Sequence, residues 1–274
     1  MSYLSRLRDN FGFVCKSKVV FAFQLFLPKT EKNKAYAFVG RHGITPYPYK
    51  SALKWKQIKA EVFVDEQHNL PYVVHNGKKL YFPHGYDIER IQGLYKTLLA
   101  EQQLRAAHRY VDNYQELADY TLLDIGTAEG IFTLDAVEYI RQAYLFECDE
   151  RWIEALEATF ALWRSKIHIV KKYVSDVDDG DTIRLDTFLQ DKNPDKIFLK
   201  MDIEGYEQKA LRGAQQTLRN AKNVRCAVCT YHNTDDAAQI STWLAAHHFD
   251  CQFTEGYLFW DGELRKAVVR GQRR

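Results

Sequence analysis

From Tyr120 to the end of the chain, short apolar runs alternate with amphipathic stretches, and this limits the fold more than any other feature. "TLLDIG" reads as a strand and "IFTLDAVEYIRQ" as a helix; "AYLFEC" and "DERWIEALEATFALWRS" repeat the pair. "IHIVKKYV" and "IFLKMDI" are further strands, and "GYEQKALRGAQQTLRN" is a helix. "VRCAVCTYH" is the fifth strand, and "DAAQISTWLAAHH" the helix after it. Strand and helix in turn predict a parallel sheet covered on both faces. The end differs: "DCQFTEGYLFW" and "ELRKAVVRG" read as two strands joined by a hairpin turn at Asp261-Gly262. The expected class is α/β, a doubly wound Rossmann-like sheet, mostly parallel, with an antiparallel C-terminal hairpin.

Residues 1–110 have another texture. Pro46 and Pro48 exclude regular helix around "RHGITPYPYK". Asn76-Gly77, between "YVVH" and "KKLYF", predicts a tight hairpin, and a strand near residues 62–64 would complete a small meander. Ile88, Ile91, Leu94, Tyr95, Leu98 and Leu99 recur at helical spacing. Residues 1–110 are expected as an α+β cap or substrate-side segment, and 111–274 as the α/β domain. Tyr47, Tyr49, Tyr81 and Tyr86, with His42 and His84, are expected in the meander core, with stacking on a sugar-like acceptor as the alternative.

With 274 residues, 46% of them hydrophobic, the chain can form one large domain, or a domain with an appendage. The net charge of +2 implies no broad basic field, so nucleic acid is not expected as a partner. Five scattered cysteines do not form a disulfide framework. Cys226 and Cys229 sit three apart on a strand, on opposite faces, and read as buried hydrophobes. No run approaches the roughly 18 apolar residues of a membrane span. "VVFAFQLFL" (19–27) follows Lys16 and Lys18 and is broken by Pro28, so a buried helix or strand is expected rather than a signal peptide. Peripheral contact of this run with a membrane stays open, and the expected compartment is the cytoplasm.

Two stretches carry chemistry. "LLDIGTAEGIF" puts a glycine turn, Gly126 and Gly130, between the first strand and its helix. Glu147 ends the next strand about 20 residues on, where a carboxylate can bind both hydroxyls of a ribose. A plain tight turn is the competing reading. A dinucleotide needs an uncharged approach for its pyrophosphate, whereas here Ala128 replaces the middle glycine and Glu129 and Asp124 flank the turn. Those acids favour a cationic nucleotide such as S-adenosylmethionine over NAD. "FLKMDIEGYE" (198–207) ends an apolar strand on Lys200, Asp202 and Glu204, which alternation places on one side. Unpaired buried charges are costly, so the row is expected at the carboxyl edge of the sheet, facing a ligand.

These residues resemble the FkbM-type S-adenosylmethionine-dependent methyltransferases over about residues 122–214. "DIGTAEGIFTL" is similar to the opening D-x-G-x-x-x-G-x-F-[ST] at Asp124, Gly126, Gly130, Phe132 and Thr133. "LKMDIEGYEQKALRGA" resembles the signature K-x-D-x-E-G-x-E-x-x-x-L-x-G-A at Lys200, Asp202, Glu204, Gly205, Glu207, Leu211, Gly213 and Ala214. Phe146-Glu147 is similar to the ending of the family's second strand. Ala128 stands where the family usually has Asn, and Cys148 where it usually has Pro.

The resemblance implies a methyltransferase sheet and methyl transfer from S-adenosylmethionine to a hydroxyl of a glycan, sugar-containing or secondary-metabolite acceptor, as in polysaccharide biosynthesis. The implied cofactor residues are Asp124, Gly126, Thr127, Ala128, Gly130, Glu147, Cys148, Ser175, Asp176 and Asp202. The implied catalytic residues are Lys200, Asp202, Glu204 and His232. Lys200 would neutralise the acids or an acceptor oxyanion, and Asp202 would lie nearest donor and acceptor. Glu204 would cap a helix or act as base, and His232, ending the fifth strand, would act as base or sit exposed. A divalent metal, Mg²⁺ or Mn²⁺, at Asp202 with His232, Asn233 or Asp235 stays open. The rival functions are an NAD-dependent oxidoreductase or sugar epimerase and a non-catalytic scaffold.

Overall fold

The computed structural model describes residues 3–273 apart from Lys56, with side chains from residue 10 onwards. The main sheet has seven strands: β1 (Thr121–Ile125), β2 (Gln142–Phe146), β3 (Ile167–Val170), β4 (Lys196–Met201), β5 (Asn223–Cys229), β6 (Phe249–Phe253) and β7 (Val268–Arg273). Their order across the sheet is β6-β7-β5-β4-β1-β2-β3. The strands from β3 to β5 are parallel, and β7 runs antiparallel between β5 and β6. The chain starts in the middle, winds out to β3 and returns to β4, so a crevice opens between the carboxyl ends of β1 and β4. Leu122 and Phe198 pack on one face of the sheet, and Leu123, Ile125, Leu199 and Met201 on the other. Burial on both faces explains why these strands read as continuous apolar runs. Cys229 and Cys226 fall into the cores on opposite faces, as alternation requires.

The expected doubly wound class is borne out, with local differences. The turn at Asp261-Gly262 joins a small separate ribbon, Leu258–Trp260 with Glu263–Arg265, standing between β6 and β7 rather than connecting them directly. The stretch "IHIVKKYV" leaves the sheet after Val170, and Tyr173–Val174 pairs instead with Thr182–Ile183. The helix expected over 205–220 is two, Glu207–Arg212 and Gln215–Asn220. A Cβ at Gly213 would lie 1.9 Å from the Ser175 carbonyl oxygen, so the break lets the loop after β3 pack against it. Helical periodicity carries no trace of so close an approach.

In the first 110 residues the hairpin at Asn76-Gly77 joins Leu70–His75 to Lys78–Tyr81, and Phe63–Asp65 completes the meander. Leu70 and Tyr81 pack on Ala155 and Ala158 of the helix Glu150–Thr159. The helix Ile88–Glu101, capped by the Asp87 carboxylate, sends Ile91, Tyr95 and Leu98 into the core shared with β1 and β4. The run 19–27 departs from the expected buried element. The helix Tyr3–Ala22 buries Phe13 and Val20 against the helix Glu31–His42, while Phe23, Leu25 and Phe26 stand exposed. A run apolar on every side cannot bury all its faces against one neighbour. Among the described residues no helix is long and apolar enough to cross a membrane.

Candidate active site

Asp124 of β1 and Lys200 of β4 are direct partners across the parallel pair, so their side chains share a face. The Lys200 Nζ lies 3.0 Å from Asp124 Oδ1, with both side chains buried. The ammonium also donates to the Gly126 carbonyl, and Thr133 Oγ1 donates to Asp124 Oδ2 at 2.6 Å. Burial alone would lower the Lys200 pKa, but Asp124 and Asp202 outweigh it and hold the ammonium above its ordinary value. Lys200 is thus a buried strut beneath the glycine turn and does not line the crevice where an acceptor oxyanion would form. Gly126 has a φ of +76°, and a Cβ there would lie 1.9 Å from the Asp202 carbonyl oxygen. Only glycine allows the exits of β1 and β4 to touch.

Glu129 is half-buried; burial first, then the Glu101 carboxylate, pushes its carboxyl up to about 8. It is neutral at neutral pH, and Asp124 is matched by Lys200. Neither acid presents the free charge on which the preference for a cationic nucleotide rested. Between pH 4.5 and 8 the folded chain keeps the Glu129 proton that the unfolded chain has released, so this group lowers stability as pH rises. Glu129→Gln removes that fall. Relative to wild type the variant should gain about 2–3 kcal/mol between pH 5 and pH 8, read by urea unfolding at both values. An equal difference at the two values would show Glu129 to be ionised throughout.

A cleft of about 630 Å³ opens at the carboxyl ends of β1, β2 and β4, a size usual for small-molecule sites. Gly126, Ala128, Glu147, Cys148, Ser175 and Asp202 line it, with Ile125, Phe146, Val174 and Ile203 as apolar walls. Ala128 occupies the left-handed region at φ +47° and donates its N–H to Glu147 Oε2 at 2.9 Å. Cys148 and Asp149 donate theirs to Glu147 Oε1 at 2.8 and 2.9 Å. Three backbone N–H groups therefore fix that carboxylate at the cleft. Four of the expected cofactor residues do not line it. Asp124 is paired with Lys200, Thr127 donates to the Asp124 carbonyl, and Gly130 packs under Leu156 and Phe160. Asp176 pairs with Arg212 at 2.8 Å, outside the cleft.

Asp202 and His232 come together beside the cleft, with Oδ1 and Nε2 3.4 Å apart. Glu204 breaks the expected row. The strand ends at Met201, and Glu204 at φ +55° and Gly205 at φ +95° turn the chain, leaving the Glu204 side chain 81% exposed. Nor is Glu204 a helix cap: the next helix starts at Glu207 with Tyr206 as an N-cap lacking a side-chain bond. Glu207 takes the inner place, accepting from the Ile203 N–H at 2.9 Å and lying 2.8 Å from His232 Nδ1. Of the other residues named for a metal, Asn233 spends its amide on Gly205 and Asp236, and Asp235 opens the helix Asp236–Ala246.

Three residues without a local sequence signal, with Tyr47 from the first segment, complete the cluster. Tyr110 donates its hydroxyl to Asp202 Oδ2 at 3.0 Å, and His108 Nε2 lies 3.5 Å from the same oxygen. Glu101 sits 3.1 Å from His108 Nδ1 and accepts from the Tyr47 hydroxyl at 3.1 Å. A fifth, Tyr231, donates to Asp202 Oδ1 at 3.2 Å; its place beside His232 at the end of β5 was the one available clue. Burial raises the Asp202 pKa, but His108, Lys200 and His232 more than reverse this and hold the carboxyl well below its usual range. Burial lowers the His232 pKa, and Glu207, Asp202 and Glu204 together hold it above 6.5. Asp202 is thus a permanently ionised carboxylate between two imidazoles.

An open sheet with β7 reversed between β5 and β6 and a cleft at its switch point define a doubly wound, Rossmann-like α/β fold. Residues 155–253, about a third of the chain, match the family model of the Methyltransferase FkbM domain. The matched range holds the charged run of β4 but not the glycine turn. Among solved structures, the chain is similar to a methyltransferase FkbM from Methylobacillus flagellatus KT, at 16% identity and TM-score 0.46 over 67% of this chain. It spans about half, 53%, of that structure's length. It is also similar to magnesium protoporphyrin IX methyltransferase from Synechocystis PCC 6803 with bound SAM, at 12% identity and TM-score 0.38, covering 58% of this chain and 72% of that one. A putative tRNA (m1A22) methyltransferase from Streptococcus pneumoniae is similar at 18% identity and TM-score 0.40, over 59% and 68% of the two chains. No curated protein matches the chain significantly.

Proposed function

We propose that this protein transfers a methyl group from S-adenosylmethionine to a hydroxyl oxygen of a glycan, sugar-containing or secondary-metabolite acceptor. The observation that carries this reading is the juxtaposition of two halves of one site. The cleft ends in a carboxylate fixed for a ribose diol, Glu147, and at its other side an ionised Asp202 faces His232. When bound, S-adenosylmethionine supplies an activated methyl group. The cleft suits it: the volume is sufficient, the walls at Ile125, Phe146, Val174 and Ile203 are apolar for a purine, and Glu147 Oε2, which accepts only the Ala128 N–H, keeps a site for a ribose hydroxyl.

The chain's own residues have the remaining tasks. Asp202, fixed by Tyr110 and Tyr231, orients an acceptor hydroxyl at the cleft's edge. Alignment of this kind is the main demand of an in-line displacement. The acceptor's proton leaves at the Asp202–His232 pair, whose imidazole is oriented by Glu207.

Calorimetry with S-adenosylhomocysteine tests the reading. Binding in the micromolar range is expected, with Glu147→Ala weakening it at least about tenfold, or 1.4 kcal/mol. Binding of NAD in its place would establish the oxidoreductase, and binding of neither would leave a scaffold.

A further inference from the structure

We infer that His232, Asp202 and Glu204 form a binding site for a divalent transition-metal cation at the rim of the cleft. The inference deepens the methyltransferase reading and rests on it for purpose, but its ligands stand on geometry alone. The His232 side chain is 4% exposed, and its Nδ1 is taken by the wholly buried Glu207. That bond turns Nε2 away from Glu207 and towards two other carboxylates, 3.4 Å from Asp202 Oδ1 and 3.8 Å from Glu204 Oε2. No hydrogen bond closes across either gap: Nε2 is a buried nitrogen without a hydrogen-bond partner. Buried polar atoms are almost always satisfied, so one aimed between two acids calls for a missing neighbour.

The His232–Asp202 pair has the dimensions for an ion: bonds of about 2.0–2.2 Å to nitrogen and oxygen set neighbouring ligand atoms roughly 3–3.6 Å apart, and Nε2 and Oδ1 are 3.4 Å apart. Glu204 Oε2, 3.8 Å from Nε2 on an exposed side chain, would swing inwards to complete the site. Glu207 behind the imidazole is the carboxylate–histidine arrangement that orients metal-bound histidines elsewhere. One imidazole with two carboxylates favours Mn²⁺, Fe²⁺ or Zn²⁺ over Mg²⁺ and Ca²⁺, which prefer oxygen alone. Asp202 and Glu204 line the cleft, so the remaining coordination positions would open onto it. There a cation would supply positive charge to an acceptor oxygen, and with both imidazole nitrogens then occupied the acceptor's proton would pass to Asp202 or to water rather than to His232.

A competing group, His108 with Cys229 and Asp202, has suitable elements at suitable spacing. Cys229 and His108 are fully buried behind Asp202, neither lines the cleft, and His108 Nε2 already meets the Tyr231 hydroxyl at 3.1 Å. It lacks both an open side and an unused nitrogen facing the ligand.

The test titrates Mn²⁺ into the chelator-stripped full chain, following the free-ion paramagnetic resonance signal and the heat. About one equivalent should bind with micromolar affinity, and His232→Ala and Glu204→Ala should each weaken it about tenfold or more. Cys229→Ser should leave it unchanged. Glu204 is exposed, so its variant keeps the test decisive even if His232→Ala unfolds. Wild-type affinity weaker than millimolar, or equal affinity in the Glu204 variant, overturns the site. S-adenosylhomocysteine titrated into the same samples separates the two ideas: its failure to bind would remove the methyltransferase reading whatever the Mn²⁺ result.

Discussion

Lys200→Met should destabilise the fold by about 3–5 kcal/mol, and adding Asp124→Asn to the same chain should recover most of that loss. The single change leaves the Asp124 carboxylate buried without its cation, and the Gly126 carbonyl without its donor. Neutralising both partners removes the stranded charge, and a methionine stem fills much of the space of the lysine stem. Denaturant unfolding of the two single variants and the double variant closes the cycle. If Lys200→Met costs less than about 1 kcal/mol, Lys200 is not the strut described above and is available for chemistry.

The second large effect falls on Asp202. Asp202→Asn should lower the methyl-transfer rate by about 10²–10⁴-fold while S-adenosylhomocysteine affinity stays within a few fold. The carboxylate accepts from Tyr110 and Tyr231 and faces His108 and His232, so an amide replaces a fixed negative charge with a group that must donate to one side. Donor binding rests on Glu147 and the apolar walls, which the change leaves in place. Single-turnover kinetics with a competent acceptor separate the two quantities. An unchanged rate would move the chemistry away from this carboxylate.

Much of the frame was legible because it is written locally. Alternation places Lys200 and Asp202 on one side of their strand, whereas the register that sets Asp124 against Lys200 came only with the structure. The glycine turn and the acid ending β2 were likewise visible from spacing. The alternation rule failed at Glu204, because it holds only while the chain is extended and the strand ends three residues earlier. Periodicity also overran Gly213, where the obstacle is the Ser175 carbonyl of another segment.

Glu101, His108 and Tyr110 were not legible at all. They precede Asp202 by more than ninety positions, Glu101 at the end of the helix Ile88–Glu101 and His108 and Tyr110 in the irregular segment after it, and only folding of the first 110 residues against the sheet brings them to the carboxylate.

The amino-acid order alone thus determined the sheet, its winding and the edge at which ligand groups collect, since period-two alternation and glycine turns are properties of neighbours along the chain. Folding in three dimensions decided which of those groups are charged and which are spent. Asp124 is consumed by Lys200, Glu129 is neutral at neutral pH, and Asp202 stays ionised between imidazoles from two distant segments. Ionisation depends on burial and on the distance to other charges, and neither quantity exists until the chain has closed on itself.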